Sequence, residues 1–324
     1  MRILQDYRGL GPSDRGASAA IGNFDGVHKG HQVLISDAAA ARSGPETPLG
    51  VITFEPHPRR FFQPDAPPFR LTTAAERARR LESLGVERVY EVGFDAALSS
   101  MSPDAFVREV LVGGLGISHL VVGADFRFGK GRAGDAVLLR TMGTELGFGV
   151  TIHDLVGDES GDYASTALRV LIREGRCAEA ADQMGFWHTV SGPVILGDQR
   201  GRELGYPTAN LAFGEQIIPR YGIYATWVTV LDGPHAGRHA GVASIGERPT
   251  FGVNAPNFEV HLFDFSGDLY GAEISVGLVD WLRGEEKFDS VDALVAQMNR
   301  DSQAARATLA RSGAAPGATA TGEA

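Results

Sequence analysis

The chain divides into two stretches that differ in how apolar and polar positions alternate. Up to about residue 155, short β-like runs are separated by segments with apolar residues at helical spacing. The predicted strands cover residues 18–22, 49–54, 88–94, 119–123 and 149–155. The predicted helices cover residues 29–41, 72–85, 103–112 and 135–146, and two more follow at 165–174 and 177–184. Strands and helices in alternation predict a parallel sheet with helices on both faces.

From residue 189 onward, the strand-like runs follow one another without a helix between them. Gly-rich or Pro-rich separators divide VSGPVILG, IYATWVTVLD, HAGVASIG, FEVHLFDF and EISVGLVDWL, which predicts an antiparallel barrel or sandwich. A last helix is expected at about 290–310, and the composition of GAAPGATATGEA after it is typical of a disordered tail. We therefore predict a Rossmann-like α/β domain over residues 1–185, a β-barrel domain with a terminal helix over 186–312, and a disordered tail over 313–324.

Length, charge and cysteine content narrow the class of protein. A chain of 324 residues is longer than a single core usually grows, which agrees with two domains. A formal charge of -10 argues against a general nucleic-acid-binding surface. Cys177 has no second cysteine for a disulfide or a zinc site, which fits a reducing compartment. The polar N-terminal segment and the absence of a long apolar run predict a cytoplasmic protein without a membrane partner.

The stretch GNFDGVHKGHQ, residues 22–32, follows the first predicted strand and opens the first predicted helix. Ligands of parallel sheets sit beyond the carboxyl ends of the strands, and a helix start with bare glycine backbone favours an anion. His28 and His31 lie three residues apart and point to one side of the helix. Zinc would need more ligands, and the GxGxxG dinucleotide fingerprint is missing. The pattern indicates a phosphate site, and a capped helix start with two surface histidines is the alternative.

A second candidate region combines glycine-rich turns with an acidic residue on a strand. Residues 192–210 read GPVILGDQRGRELGYPTAN, which taken alone is also consistent with a strand and two turns of purely architectural role. In FEVHLFDF, alternation places Glu259 and His261 on the face opposite Phe258, Val260 and Leu262. A carboxylate between apolar neighbours is a candidate general base.

These motifs resemble those of a known family. The stretch GNFDGVHKGHQ contains the HxGH signature of nucleotidyltransferases, and as a whole it resembles the bacterial bifunctional riboflavin kinase/FAD synthetases. Further matching segments are FEPHP (54–58), GADFRFG (123–129), STALR (165–169), residues 192–210, RPTFG (248–252), GDLYG (267–271) and WLRGEEKF (281–288).

The resemblance implies two linked reactions. The C-terminal barrel would phosphorylate riboflavin to FMN with release of ADP, and the N-terminal domain would adenylylate FMN to FAD with release of pyrophosphate. ATP would be the co-substrate of both steps, with Mg²⁺ as cofactor and without nucleic-acid or membrane partners. Two alternatives stay open: a riboflavin kinase whose N-terminal domain only binds nucleotide or regulates, and a flavin-sensing protein without activity. The oligomeric state does not follow from the sequence.

The resemblance also implies site residues. His28 and His31 would be catalytic in adenylylation, and Glu259 would be the general base of the kinase. Contacts to ATP or phosphate are implied for Gly22, Asn23, Phe24, Asp25, Gly26, Ser165, Thr166, Arg169, Gly197, Gly201, Arg202, Pro207 and Thr208. Flavin contacts are implied for Phe54, Asp125, Phe128, Arg248 and Arg283, and magnesium contacts for Thr208 and Asn210. Packing for the aromatic residues, a turn cap for Asp125 and salt bridges for the arginines are the alternatives.

Overall fold

The computed structural model describes residues 1–154, 157–158, 161–162, 164–197, 201, 204–247 and 256–312. The chain forms two units. One unit contains Met1–Pro67 and Ala74–Ala164, and the other contains Pro68–Thr73 and Ser165–Ala324. The first unit ends at Ala164, before the predicted domain boundary at residue 185. The reason is visible in the second unit, where Leu168 and Met184 of the helices before residue 185 form one apolar cluster with Ile217.

The first unit is built on a parallel sheet. Its strands are β1 (Arg2–Leu4), β2 (Ser18–Ile21), β3 (Leu49–Glu55), β4 (Arg88–Gly93), β5 (His119–Gly123), β6 (Arg127–Phe128), β7 (Gly134–Asp135), β8 (Gly149–His153), β9 (Gly157–Asp158) and β10 (Gly161–Asp162). Six of them form the sheet in the order β1-β4-β3-β2-β5-β8, and all five pairings are parallel. The remaining four form two short antiparallel pairs. The predicted parallel sheet is confirmed, and the edge strand β1 is an addition to it.

Helices cover both faces of this sheet. They are α1 (Lys29–Ala40), α2 (Pro58–Phe62), α3 (Ala74–Ser83), α4 (Ala96–Ser100), α5 (Pro103–Ala105), which continues as a π-helix over Phe106–Gly114, and α6 (Ala136–Leu146). Ala19 and Ile21 of β2 pack on one face with α6 and the π-helix that follows α5, whereas Ala20 packs on the other with α1 and α3. Because β2 is buried on both faces, its side chains are apolar or small without alternation.

The strand order places one loop at a favoured position for ligands. From β2 the chain moves through β3 to β4 on one side, and then β5 returns to pair with β2 on the other side. The carboxyl end of β2 is therefore a topological switch point, where open α/β sheets bind ligands. The loop that follows β2 is the stretch with the two histidines.

The second unit contains an antiparallel barrel. Its elements are α7 (Ser165–Glu174), α8 (Cys177–Met184), β11 (His188–Pro193), β12 (Ala209–Leu211), β13 (Gly222–Val230), β14 (Gly237–Glu247), β15 (Pro256–Leu262), β16 (Glu273–Arg283) and α9 (Val291–Ser312). The strand order is β11-β16-β13-β14-β15-β12, with every neighbour antiparallel. Ile195, just after β11, bridges to Asn210 of β12, so the two edges meet. The predicted barrel with a terminal helix is confirmed; the tail predicted at 313–324 lies outside the described residues.

The barrel has an inner core and an outer apolar face. Val190, Tyr224, Val260 and Leu278 belong to the inner core, whereas Leu309 of α9 packs on the outside. Cys177 is also buried in the inner cluster, and burial raises the pKa of its thiol to about 12. Its role is packing, as expected for a protonated thiol.

Within the described part of the chain, no helix combines the length and apolar character that crossing a membrane requires.

Candidate active sites

The loop from β2 to α1 is buried over residues 24–28 and has an unusual backbone. Phe24 and Val27 have φ angles of 50° and 48°, and both are inaccessible to solvent. Gly26 between them has a φ of 87°. A positive φ costs about 1–3 kcal/mol for a residue other than glycine and is least favourable for a β-branched side chain. The surrounding structure therefore holds this loop in a conformation that its own residues disfavour.

This loop delivers the two histidines as a stacked pair. His28 stands at the N-cap of α1, and His31 lies in the first turn. Their ring centroids are 3.6 Å apart with an interplanar angle of 23°, and Phe24 lies against His31 at 4.9 Å. Burial, followed by the neighbouring His28, lowers the pKa of His31 well below its usual value. At neutral pH the His31 imidazole is therefore uncharged.

One ring nitrogen of His31 is enclosed by the protein. Its Nδ1 is shielded from solvent and has no hydrogen-bond partner among the described residues. A neutral imidazole has one N–H donor, which suits hydrogen bonding to a phosphate oxygen.

Two buried arginines of α3 lie beneath the loop. Arg77 is 1% exposed, and its Nη2 donates to Glu55 at 3.1 Å and to Glu91 at 2.8 Å. Arg80 is 4% exposed; its Nε donates to Glu76 and its Nη1 to the Gly26 carbonyl oxygen, both at 3.1 Å. Sequence reasoning missed both residues, because a helix rich in arginine and glutamate is typical of a solvated face. The only sequence signal was their i, i+3 spacing within a predicted helix.

Other predicted residues of the first unit also lie near the carboxyl ends of the strands. Phe54 is the last residue but one of β3 and packs against Phe94 at 5.9 Å, while Phe128 lies 5.6 Å from Phe106. Both are less than a tenth exposed and belong to the apolar core, and a flavin contact for either stays a prediction. Asp125 follows β5 and is exposed.

An exposed aromatic group next to Phe54 was not predicted. Phe62 at the end of α2 is 64% exposed and makes edge contacts with Phe61 and Phe94 at 5.2 and 5.7 Å. An exposed aromatic cluster offers a flat apolar surface to a planar ligand. The FF pair at 61–62 was a signal in the sequence, but it did not show that Phe62 faces solvent.

Three predicted phosphate-binding residues belong to the second compact unit. Ser165 and Thr166 begin α7, and Arg169 lies one turn further along. The Arg169 Nε donates to the carbonyl oxygen of Phe69 at 2.8 Å, and its guanidinium lies 5.7 Å from the Phe69 ring centroid. The structure thus gives Arg169 a partner that the sequence did not predict, and a phosphate clamp stays a prediction.

In the barrel, the strand pairing of β12 with β15 brings the predicted kinase residues together. Asn210 pairs with Glu259 across the two strands. The Thr208 hydroxyl donates to Glu259 Oε2 at 3.2 Å, and Asn257 Nδ2 donates to Oε1 at 2.8 Å. Phe258 and Val260 face the core, as the alternation predicted. Both oxygens of the Glu259 carboxylate are therefore held in place by donors.

Backbone and side chains around this carboxylate are closely fitted. His261 Nδ1 donates to the Pro207 carbonyl oxygen at 2.8 Å, which anchors the segment before β12. A Cβ at Gly197 would overlap the amide of Asn210, and one at Gly201 would overlap the carbonyl oxygen of Tyr206. Glycine is required at residue 201 because backbone approaches too closely for any side chain, and at residue 197 a side chain would displace that of Asn210.

Of the three remaining arginines, only Arg283 can be placed. It forms a bidentate ion pair with Asp301 of α9, with Nε–Oδ1 at 2.8 Å and Nη2–Oδ2 at 2.6 Å. Hydrogen bonding to Asp301 raises the pKa of Arg283. The structure shows the salt bridge that was the alternative to flavin contact. Arg202 and Arg248 lie outside the described residues.

Comparison with known proteins finds a matching family for each half of the chain. A family model for FAD synthetase matches residues 11–167, and one for riboflavin kinase matches residues 184–309. The bifunctional riboflavin kinase/FMN adenylyltransferase of Escherichia coli K12 is 38% identical over 307 residues, covering 94% of this chain and 97% of the relative. The protein of the same description from Pseudomonas fluorescens is 38% identical over 313 residues, covering 96% and 99%.

A solved structure is similar over nearly the whole chain. It is a crystal structure described as a macrolide-efflux protein from Streptococcus pneumoniae, with a TM-score of 0.81 and 32% identity, covering 94% of this chain and 98% of that one. The curated relatives, aligned along more than nine-tenths of both lengths, decide the classification. The chain belongs to the family of bifunctional riboflavin kinase/FMN adenylyltransferases.

Proposed function

We propose that the chain makes FAD from riboflavin in two ATP-dependent steps, with the kinase site in the barrel and the adenylyltransferase site at the carboxyl end of β2. In the first step the ribityl hydroxyl of riboflavin attacks the γ-phosphorus of ATP, giving FMN and ADP. In the second, a phosphate oxygen of FMN attacks the α-phosphorus of another ATP, giving FAD and pyrophosphate. The flavin is substrate and product, so no electron transfer takes place.

The hydrogen-bonded Glu259 carboxylate is the observation that carries the kinase assignment. Phosphorylation of a primary hydroxyl requires a base that takes its proton as the bond to phosphorus forms. Thr208 and Asn257 each occupy one acceptor position of Glu259, which fixes the direction of the carboxylate and leaves a lone pair for the proton. A base held in this way needs little reorganisation when substrate binds.

The residues beside Glu259 also fit a magnesium ion. The Thr208 hydroxyl and the Asn210 amide oxygen are hard oxygen donors, which Mg²⁺ prefers, and phosphate oxygens and water would complete its coordination. The described residues hold no group of three or more His, Cys, Asp or Glu side chains arranged for a metal ion. When bound, the ion would neutralise phosphate charge, while Thr208 continues to orient the carboxylate.

In the first unit, the histidine pair supports adenylyl transfer. The FMN phosphate is already ionised at neutral pH, so this step needs positioning and charge stabilisation and no protein nucleophile. His28 and His31 donate hydrogen bonds to the ATP phosphates as charge builds up on the departing pyrophosphate. The exposed Phe62 supplies an apolar surface for the flavin ring. The roles predicted for Asp125, Ser165, Thr166 and Arg169 remain predictions.

One incubation distinguishes the possible functions. Purified full-length protein is incubated with riboflavin, ATP and Mg²⁺, and the flavins are separated by chromatography. Accumulation of FAD is expected. FMN alone would mean a kinase with a nucleotide-binding or regulatory N-terminal domain, and unchanged riboflavin would mean a flavin-binding protein without activity. A parallel incubation with FMN and ATP tests the second step by itself.

A further inference from the structure

We propose that Arg80, supported by Arg77, is a positioning residue for adenylyl transfer that holds the inner side of the β2–α1 loop and thereby sets where His28 and His31 stand. The inference rests on the proposed adenylyltransferase function. It concerns residues that touch neither substrate nor reacting atoms and act through the loop backbone.

Burial and charge balance exclude direct phosphate binding by these two arginines. Both guanidinium groups are nearly inaccessible to solvent. Arg77 lies between the carboxylates of Glu55 and Glu91, and Arg80 pairs with Glu76. A guanidinium neutralised by buried carboxylates has little charge left for a ligand, so its remaining donors serve the protein itself.

One N–H group of each arginine bonds the loop backbone. Arg80 Nη1 donates to the Gly26 carbonyl oxygen at 3.1 Å, while the N–H of Val27 donates to the Phe24 carbonyl oxygen at 3.2 Å. The peptide between Gly26 and Val27 is thus held at both its oxygen and its nitrogen. At the other end of the loop, the Asn23 carbonyl oxygen accepts from Thr53 at 3.1 Å and from Arg77 Nη1 at 3.5 Å.

These hydrogen bonds hold the part of the loop in which the backbone is most strained. Val27 has a β-branched side chain and a positive φ, so it would relax to an extended conformation if the preceding peptide were released. His28 follows directly and caps α1, and His31 stacks on it. Rotation of the Gly26–Val27 peptide would therefore move both imidazoles. Misplacement of catalytic groups by about 1 Å can lower a rate about 100-fold.

The test compares Arg80→Met with Arg79→Met in the full-length protein. Arg79 lies on the same helix and pairs with the same Glu76, but its side chain is 38% exposed, and its hydrogen bonds within the described part of the chain go to Glu76 and not to the loop. We expect Arg80→Met to lower kcat for FMN adenylylation by about 100-fold with an unchanged KM for FMN. Arg79→Met should stay close to the wild-type rate, and both variants should phosphorylate riboflavin normally.

A spectroscopic readout separates positioning from stability. In the wild type, burial and the electrostatic interaction with His28 lower the pKa of His31. When the loop relaxes in Arg80→Met, NMR titration of the imidazole signals should show the His31 pKa returning towards its ordinary value. A change in thermal stability alone, with unchanged His31 titration and unchanged kcat, would overturn the inference.

A second variant covers the case in which Arg80→Met does not fold. Arg80→Lys keeps a cation beside Glu76. A lysine ammonium group lacks the planar guanidinium, whose separate N–H groups bond the Glu76 carboxylate and the Gly26 carbonyl oxygen at the same time. We expect it to fold and to show a smaller loss of kcat; wild-type kcat in Arg80→Lys would then contradict the inference. If the wild type itself forms no FAD from FMN, the proposed function fails instead, which is a different result.

Discussion

The two candidate sites are held together by different physical means. In the first unit, His28 and His31 sit at the end of a buried loop whose backbone is strained and whose carbonyl groups are held by Thr53 and buried arginines. In the barrel, Thr208 and Asn210 meet Glu259 through ordinary antiparallel pairing of two strands. The first site depends on a few buried polar contacts, whereas the second is supported by a continuous ladder of backbone hydrogen bonds.

This difference predicts how each site responds to mutation. A strained loop has another conformation of lower local energy, so the loss of one anchor can displace the whole site. A strand register cannot shift by one residue without turning every apolar side chain outward, so single substitutions in the barrel should leave its geometry intact. The experiments below follow from this contrast.

The largest effect is expected from removing the base of the kinase site. Glu259→Gln should lower FMN formation by about 10²- to 10⁴-fold, because an amide cannot accept the proton of the hydroxyl. Adenylylation of supplied FMN should be unchanged, because the proposed site of that reaction lies in the first unit and the substitution keeps the shape of the side chain in the barrel. Both rates are measured by chromatography of the flavins. Glu273→Gln, which removes an exposed carboxylate of the same barrel, is the matched control; loss of both activities in a folded Glu259→Gln protein would refute separate sites.

Substitution in the histidine pair should have the opposite effect: adenylylation is lost and the kinase reaction continues. His31→Ala should lower FAD formation by about 10²- to 10³-fold, the effect of losing one preorganised donor to a developing charge. Riboflavin should still be converted, so FMN accumulates. If instead FAD appears at the wild-type rate, His31 has no part in the transfer, and its stacking on His28 is only structural.

A smaller effect is expected from the hydroxyl that orients Glu259. At saturating Mg²⁺, where loss of the proposed metal ligand is compensated, Thr208→Val removes a hydrogen bond to Glu259 worth about 0.5–1.5 kcal/mol, which corresponds to a roughly two- to tenfold lower kinase rate. Thr208→Ser keeps the donor and should stay close to the wild type. A Thr208→Ser rate as low as that of Thr208→Val would indicate that the methyl group, and not the hydroxyl, matters.

The smallest effect concerns pH and stability. The folded-state pKa of His31 lies below the usual 6.5, so as the pH falls through 6.5 the unfolded chain takes up this proton first. The contribution of neutral His31 to the free energy of unfolding is therefore fully present above about pH 6.5. Below that pH the free energy of unfolding falls, by no more than about 1.4 kcal/mol per pH unit for one proton. Urea unfolding at pH 7.5 and 5.5 should show a smaller difference for His31→Asn than for the wild type. Equal differences would mean that His31 is protonated normally in the folded chain.

Sequence patterns predicted most of what is local in this molecule. The extents of α7 and α8 are those predicted, and α1 differs by one residue. The histidine loop and the alternation around Glu259 could both be read from short contiguous segments. The contacts of Phe54 and Arg283 could not be read in this way: Phe54 packs in the core, and Arg283 forms an ion pair with Asp301. In both cases the partner is distant in sequence, so no local pattern marks it.

The sequence by itself determined the two patterns of alternation, the spacing of His28 and His31 and the placing of Glu259 opposite a row of apolar residues, because each depends on neighbours along one helix or strand. Tertiary structure alone decided that Arg77 and Arg80 are buried beneath a strained loop, that Arg169 bonds the Phe69 carbonyl and that Asn210 lies across from Glu259. A charged side chain can be buried only where carboxylates or carbonyl groups from distant segments compensate its desolvation, and only the folded chain brings those segments together.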